Sequence, residues 1–199
     1  YQGRQIVFFS SNNCTLSFLK DKKYAKKKRG EFMAIKEVIR MGHPTLKVEA
    51  ELLTQEEIKT KWFADLCQDL YDTMKEEGAI GIAAPQINIS KQVALIDLPE
   101  ESTRYGKLQA SGLITIINPK ITILSDELQT FFEGCLSVPG LRGKVTRPKK
   151  IQIDFLNRAG NSETIIADDF LATVFQHEID HLFGKLYVER MDDLSSLTF

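Results

Sequence analysis

The stretch Asp169–Leu182, DFLATVFQHEIDHL, decides the fold, because its apolar residues are spread around almost the whole circumference of a predicted helix. These apolar residues, with one more directly after the stretch, are Phe170, Leu171, Val174, Phe175, Ile179, Leu182 and Phe183. A helix with this pattern is buried in a protein core. The same helix nevertheless carries two histidines, a glutamate and an aspartate, whose burial without partners would cost several kcal/mol. The stretch therefore predicts a buried helix with compensated polar groups, and a bound metal ion would provide the compensation.

The spacing within His177-Glu178-Ile179-Asp180-His181 is typical of a helical metal site. Residues four apart on a helix point to the same side, about 40° apart around its axis, so both imidazoles can reach one ion. Glu178 projects beside them and can take the proton of an attacking water. The alternative is that two surface histidines share a helix by chance, and the apolar surroundings disfavour it.

The third ligand is not fixed by this pattern alone. One class of zinc peptidases continues as H-E-x-x-H-x-x-G-x-x-H, and this chain matches it as far as Gly184 but has Tyr187 in place of the third histidine. Another class uses a glutamate from a later helix, and Glu189 follows too closely for that. His43 lies before a proline and is expected to be structural or exposed. Cys135 remains a candidate, because a thiolate binds borderline divalent metals strongly; a buried structural cysteine is the alternative interpretation.

The rest of the chain is predicted to contain one further long helix followed by short strands. Residues 53–78 are predicted to form the helix, because Thr54 and Glu57 fit a capping box and a wide apolar face repeats every four residues, with Cys67 as a small core residue. Residues 157–161 fit a hairpin turn, and the absence of β-α-β alternation disfavours a parallel sheet. The predicted strands span residues 93–98, 113–117, 121–124, 128–132, 150–156 and 163–166.

Composition and charge exclude several classes of protein. The longest apolar runs are far shorter than the roughly 20 residues that span a bilayer, so no membrane partner is expected. The net charge of −1 divides into +6 for residues 1–32 and −7 for the remainder, and an acidic body argues against direct nucleic-acid binding. Three scattered cysteines, Cys14, Cys67 and Cys135, do not form a disulfide framework and fit a reducing compartment.

Residues 1–32 differ from the rest of the chain and end in a run of basic residues before Met33. We therefore predict a basic N-terminal extension or leader over 1–32 and one catalytic domain over 33–199. The extension could be a transit-like leader, a native extension or an expression leader.

Three segments resemble, in this order, the signature motifs of peptide deformylases. They are Gly81-Ile82-Ala83-Ala84-Pro85-Gln86, Glu133-Gly134-Cys135-Leu136-Ser137 and Gln176-His177-Glu178-Ile179-Asp180-His181. The similarity covers residues 34–192, and the three motifs together are highly specific. The chain departs from the family pattern at Ala79, where glycine is usual, and at Phe132, where a polar residue is common.

The resemblance implies a role for each matching residue. The implied metal ligands are Cys135, His177 and His181. Glu178 matches the general acid/base, and the amide of Gln86 and the backbone N–H of Leu136 match the donors that stabilise the oxyanion. Glu133, Asp180 and Arg147 are hypothesised, from position alone, to hold the ligands in place. The implied substrate-binding residues are Ile80 and Gly81 in the cleft, Phe131, Phe170, Thr173 and Val174 around the methionine side-chain pocket, and Arg142 near the cleft mouth.

The resemblance also implies the fold and the reaction. The expected fold is α+β, with antiparallel β-sheets packed around a central buried helix that carries H-E-x-x-H, plus an N-terminal helix. The expected reaction is metal-dependent hydrolysis of the formyl group from the N-terminal formyl-methionine of nascent polypeptides, with release of formate. One divalent ion is expected, physiologically Fe²⁺, which Zn²⁺, Ni²⁺ or Co²⁺ can replace; the residues themselves do not choose among these ions.

The expected partners are formylated polypeptide N-termini and, as a further partner, the ribosome. A bacterial cytoplasm is the favoured location, and an organelle is the alternative if the basic leader is genuine. Two rival functions remain at this point: a zinc endopeptidase, which needs a third histidine or glutamate ligand, and a non-catalytic metal-stabilised binding domain, which needs four protein ligands.

Overall fold

The computed structural model describes residues 35–98 and 112–199, so the predicted basic extension lies outside the described residues. The helices in the described part are α1 (Gln55–Ile58), α2 (Lys61–Glu76) and α3 (Asp169–Leu182). The strands are β1 (Gly81–Ala83), β2 (Val93–Leu98), β3 (Gly112–Ile123), β4 (Leu128–Cys135), β5 (Val138–Pro148), β6 (Lys150–Leu156) and β7 (Ser162–Asp168). None of the helices in these ranges is long and apolar enough to cross a membrane.

The strands form two antiparallel sheets. One sheet has five strands in the order β1-β2-β3-β6-β7, and the other consists of β4 and β5. Every pairing between these strands is antiparallel, as the absence of β-α-β alternation predicted. The mixed class of helices and antiparallel sheets is therefore confirmed.

The predicted helix 53–78 is two helices rather than one. The capping box at its start is present: Thr54 Oγ1 accepts from the Glu57 N–H at 3.2 Å, and Glu57 Oε2 accepts from the Thr54 N–H at 2.8 Å. Thr60 then interrupts the helix, because its hydroxyl donates to the Glu57 carbonyl at 2.6 Å and accepts from the Phe63 N–H at 3.2 Å. One threonine thus ends α1 and caps α2. Trp62, expected on the apolar face, is 44% exposed.

The strand predictions fail mainly where the chain bends. The predicted strands 113–117 and 121–124 are one strand, β3, whose register against β6 shifts between Ile117 and Lys120. Asn118 lies in this bulge with φ of +51°, and its side-chain amide bonds both backbone groups of Leu53. Strands β1 and β5 were not predicted; β5 contains two glycines and three basic residues, so its alternation of apolar residues is weak.

Helix α3 contacts strands of both sheets, and its residues from Phe170 to Leu182 are buried. Its apolar side chains pack with residues of β2, β3, β4 and β6 in one core cluster, and α2 packs in a second cluster with residues of β1, β2 and β3. The predicted bounds of α3 are those observed. The consequence for the site is that the two imidazoles are carried by a rigid element with little access to solvent.

Candidate metal centre and active site

Three candidate ligand atoms converge in the interior. One atom each from Cys135, His177 and His181 lies within 4.8 Å of the other two, and all three residues are buried. Cys135 Sγ lies 3.3 Å from His181 Nε2. This convergence makes them the one such cluster found among residues 35–98 and 112–199.

The sulfur reaches the imidazoles because β4 runs alongside α3. Alternate residues of β4 share one face, and two strand residues advance about 6.6 Å, close to the roughly 6.0 Å of four helix residues. Residues two apart on the strand therefore meet residues four apart on the helix. The contacts follow this rule: Cys135 meets His181, and Glu133 meets His177. Two strand steps before Glu133, Gln129 Nε2 donates to the carbonyl of Asp169, which lies two helix steps before His177.

Glu133 orients His177. Its Oε2 lies 2.8 Å from His177 Nδ1, so this nitrogen is committed to the carboxylate and Nε2 is left for a metal ion. Arg147 donates to both Glu133 oxygens, at 2.6 and 3.0 Å, and to Asp180 Oδ2 at 2.8 Å. Burial alone raises the pKa of Glu133, but the charge of Arg147 and the hydrogen bonds from Arg147 and His177 hold it below its ordinary value. Glu133, Asp180 and Arg147, which were hypothesised to hold the ligands in place, are thus joined by hydrogen bonds through Arg147. Arg190 also pairs with Asp180.

Glu178 lies directly against β1. A Cβ atom added to Gly81 would lie 2.3 Å from Glu178 Oε1, which is closer than real Cβ contacts come. Oε2 of Glu178 is buried and has no hydrogen-bond partner among the described residues. Burial raises the pKa of Glu178 to about 7, with the charge of His177 acting in the opposite direction. The carboxyl group is therefore buried, with its pKa raised into the range in which it can gain or lose a proton near neutral pH.

Gly81→Ala is expected to displace the Glu178 carboxyl group and to lower kcat by about 10²-fold, since shifts of about 1 Å in a reacting group have effects of this size. Steady-state kinetics and metal analysis would measure the effect; the metal content should stay unchanged, since Gly81 contacts no candidate ligand in the cluster. Ala79→Gly is the matched control, as Ala79 does not have a positive φ and needs no special backbone. Full kcat in Gly81→Ala would show that Glu178 has room to move.

Gln86 points its amide nitrogen at the sulfur. Its Oε1 accepts from the Ala83 N–H at 2.9 Å, which directs Nε2 towards Cys135 Sγ at 3.5 Å and Ser137 Oγ at 3.3 Å. Leu136 follows Cys135 in the tight β4–β5 connection. The predicted oxyanion donor Gln86 thus lies beside the candidate ligand Cys135, and Leu136 follows Cys135 directly in the chain. Ser137, fully buried, was missed by sequence reasoning, although it lies two residues after Cys135 in the quoted motif.

The predicted substrate-binding residues lie in three places. Phe131 and Phe170 make an edge-to-face contact with ring centroids 5.5 Å apart, and Thr173 and Val174 lie one helical turn before His177 and Glu178. The cleft residues Ile80 and Gly81 belong to the β1 side of the site. Arg142 is on β5, its backbone paired with Thr198, and its stem lies against Gly134.

Two further expectations concern residues outside the cluster. His43 is structural as expected, since its Nδ1 accepts from the Thr45 N–H at 3.3 Å and the residue is not among the converging ligands. At the departure from the family pattern, Phe132 is half-buried beneath the ammonium group of Lys144, 5.5 Å from the ring centroid.

In the sequence, Tyr187 occupies the position where a third histidine ligand would stand, and the structure places this tyrosine against His177. Its ring stacks on His177, with centroids 6.2 Å apart and planes 23° apart. Burial raises its pKa to about 12, helped by the nearby negative charges of Cys135 and Glu133. The phenol therefore stays neutral near pH 7.

A buried cysteine and two buried imidazoles, with a carboxylate beside them, form a candidate metal site of the kind that metal-dependent hydrolases use. The donor set fits a divalent ion of intermediate softness.

The chain belongs to the peptide deformylase family, whose sequence profile, described as polypeptide deformylase, matches residues 35–196. It is 42% identical over 162 residues to a peptide deformylase of Carboxydothermus hydrogenoformans, covering 81% of this chain and 97% of the relative. It is 39% identical over 159 residues to one of Leptospira biflexa, covering 80% and 89%. A solved peptide deformylase of Acinetobacter baumannii with bound Met-Ala-Ser superposes with a TM-score of 0.73 at 32% identity, covering 80% of this chain and 100% of the other.

The family establishes the reaction. Peptide deformylases remove the N-formyl group from nascent peptides and are metalloenzymes, and this chain is an enzyme of that kind. The two rival functions, an endopeptidase and a non-catalytic binding domain, are thereby set aside.

Proposed function

We propose that this chain performs deformylation with the residues that converge at the α3–β4 contact. Cys135, His177 and His181 hold the metal ion, Glu178 is the general acid/base, and Gln86 with the Leu136 N–H stabilises the oxyanion. The observation that carries this assignment is the convergence of the three ligand atoms within 4.8 Å inside the protein. The same proposal makes α3 the central element of the fold, with both sheets packed around it and α2 as the N-terminal helix.

The division of labour follows from the surroundings of each group. A divalent cation in this ligand set supplies Lewis acidity, which lowers the pKa of water from about 15.7 towards about 7 and polarises a carbonyl. Glu178 accepts the proton of the attacking water and delivers it to the departing amine. Its lack of a fixed hydrogen-bond partner at Oε2 leaves that oxygen available for the transfer.

The specificity for a formyl group is attributed to lack of space. A formyl carbon bears only hydrogen, so a cramped, buried site accepts it and excludes larger acyl groups. The apolar wall of Phe131, Phe170 and Val174, with Thr173, then receives the methionine side chain. Since one methylene changes discrimination by only about 1–3 kcal/mol, preference beyond methionine is expected to be loose.

Gln86→Leu is expected to lower kcat about 10²–10³-fold with a much smaller rise in KM, because the amide donor acts mainly on the charge that develops in the transition state. Steady-state formate release would measure both constants. The matched control is Gln92→Leu, since Gln92 is equally buried but its amide donates to the Ala50 carbonyl at 3.1 Å. That control should lose stability and keep its kcat; an unchanged kcat in Gln86→Leu would contradict the role.

The physiological ion is proposed to be Fe²⁺, following the family. We expect the iron-loaded enzyme to lose activity in air and to regain it on anaerobic addition of Fe²⁺ or on loading with Ni²⁺, because thiolate and imidazole ligands accept all these ions. Activity assays paired with metal analysis would test this. Full activity with Zn²⁺ alone, stable in air, would speak against iron.

The reaction itself is tested by formate release from formyl-Met-Ala-Ser, with and without a chelator. We expect release that the chelator abolishes and that added divalent metal restores. Cleavage of an internal bond in an unformylated peptide would favour an endopeptidase instead, and metal binding without turnover would favour a binding domain.

The remaining proposals concern context. We propose that residues 33–199 form the catalytic domain and that residues 1–32 are an extension of separate role. The substrate partners are formylated nascent polypeptides, with the ribosome as a further partner and no direct nucleic-acid binding. A bacterial cytoplasm is the proposed location, supported by the bacterial origin of the relatives; an organelle would be favoured if the basic extension acts as a transit peptide.

A further inference from the structure

The chain makes a tight turn directly after the metal-binding helix. Gly184 has φ of +67°, and a Cβ atom there would lie 2.7 Å from the backbone of Lys47 and Val48. Only glycine fits this position, because both the left-handed conformation and the close backbone approach exclude a side chain. The turn reverses the chain so that Leu186 and Tyr187, five and six residues after His181, return to the interior. Tyr187 is 1% exposed.

The ring of Tyr187 contacts the candidate ligands. It stacks on His177 and belongs to the same buried cluster as Cys135, together with Val138, Val145 and Leu186. His177 also meets the ring of His181 edge-on, with centroids 5.1 Å apart and planes 85° apart. The imidazole of His177 is thus held at Nδ1 by Glu133, at its edge by His181 and on its face by Tyr187.

The hydroxyl of Tyr187 does not explain its presence. Its oxygen is buried and has no hydrogen-bond partner among the described residues, which is an unfavourable arrangement for a polar group. The ring face is therefore the part of this residue with a contact to the ligands.

We propose that Tyr187 is a positioning residue that fixes the plane of the His177 imidazole and so slows escape of the metal ion. This rests on the proposed ligand set. A ring contact of this kind corresponds to a factor of about three to ten in an equilibrium constant. One class of H-E-x-x-H enzymes has a third histidine ligand at this position. Here the position is occupied by Tyr187, whose ring packs against His177.

The test compares three variants of the full chain loaded with Ni²⁺. Tyr187→Leu removes the ring, Tyr187→Phe removes only the hydroxyl, and Leu186→Ala opens a cavity in the same buried cluster without touching the stacked pair. Release of Ni²⁺ to a chromophoric chelator is followed without substrate, and the visible spectrum of the Co²⁺-loaded protein reports ligand geometry. Melting temperatures with and without metal separate loss of packing from loss of metal binding.

Tyr187→Leu is expected to release Ni²⁺ about three- to tenfold faster with an altered Co²⁺ spectrum, while Tyr187→Phe matches the parent in both. Leu186→Ala is expected to melt at a lower temperature with release unchanged. Parent-like release in Tyr187→Leu overturns the proposal, as does fast release in Tyr187→Phe or in Leu186→Ala. If Tyr187→Leu does not fold, the Phe variant and the Leu186 variant still decide, since either can contradict it. Formate release by the parent is measured separately, so failure here is distinguishable from failure of the proposed function.

Discussion

Glu178→Gln should lower kcat by about 10²–10⁴-fold while the protein keeps its metal ion and its fold. Glutamine has the shape of glutamate but cannot accept a proton at neutral pH, so only proton transfer is removed. The residue is buried against Gly81, and an isosteric side chain is needed to avoid a collision with β1. Single-turnover formate release, with metal analysis of the same sample, measures the loss.

Glu189→Gln is the matched control for this experiment. Glu189 lies 11 residues further along the chain, where its carboxylate pairs with Lys47 at 2.9 Å and accepts from the Leu186 N–H. Its replacement should leave kcat near that of the parent. A Glu178→Gln enzyme with more than about a tenth of the parent kcat would mean that another group transfers the proton, because general acid–base catalysis accounts for at least 10²-fold.

Cys135→Ala should remove the metal ion and with it all measurable formate release. Two imidazoles alone leave the ion without its anionic ligand, and the Gln86 amide beside Sγ presents an N–H group, which cannot replace a thiolate as a ligand. The metal content of purified protein is expected to fall from about one ion per chain to near zero, as a site with three protein ligands requires all of them.

Cys67→Ala tests whether any buried thiol would serve. Cys67 lies in the α2 core cluster, and burial raises its pKa to about 11, so it stays a neutral thiol. This variant should keep its metal and activity and lose only some stability through a small cavity. Retention of a full equivalent of metal by Cys135→Ala would disprove the ligand set.

The sequence predicted the elements whose patterns are local. Helix α3 has the predicted bounds because a continuous apolar circumference leaves no other assignment, and the i, i+4 spacing placed both imidazoles on one side. The break between α1 and α2 escaped prediction, because a helix interrupted by one capping threonine keeps the same apolar period on both sides. Strand β5 escaped because its glycines and basic residues hide its alternation.

The residues of the site were harder to predict from the sequence than the helix that carries two of them. From the residues alone Cys135 was one interpretation among two, since nothing local reveals that β4 runs alongside α3 with matching steps; the family motifs supplied that information. The close packing of Gly81 against Glu178 and the stacking of Tyr187 on His177 depend on distances between separate segments of the chain. Such contacts leave no periodic signal in a single sequence.

The ion pairs around Arg147 have a consequence for metal exchange. Arg147 joins Glu133 on β4 to Asp180 on α3, so protein groups, and not the ion, fix the separation between strand and helix. We therefore expect the proposed ligands to be held in place before an ion binds, and cations of similar radius to meet the same arrangement of ligands. We then expect the relative abundance of free ions in the cell when the chain folds, and not the ligand set, to decide which ion is bound.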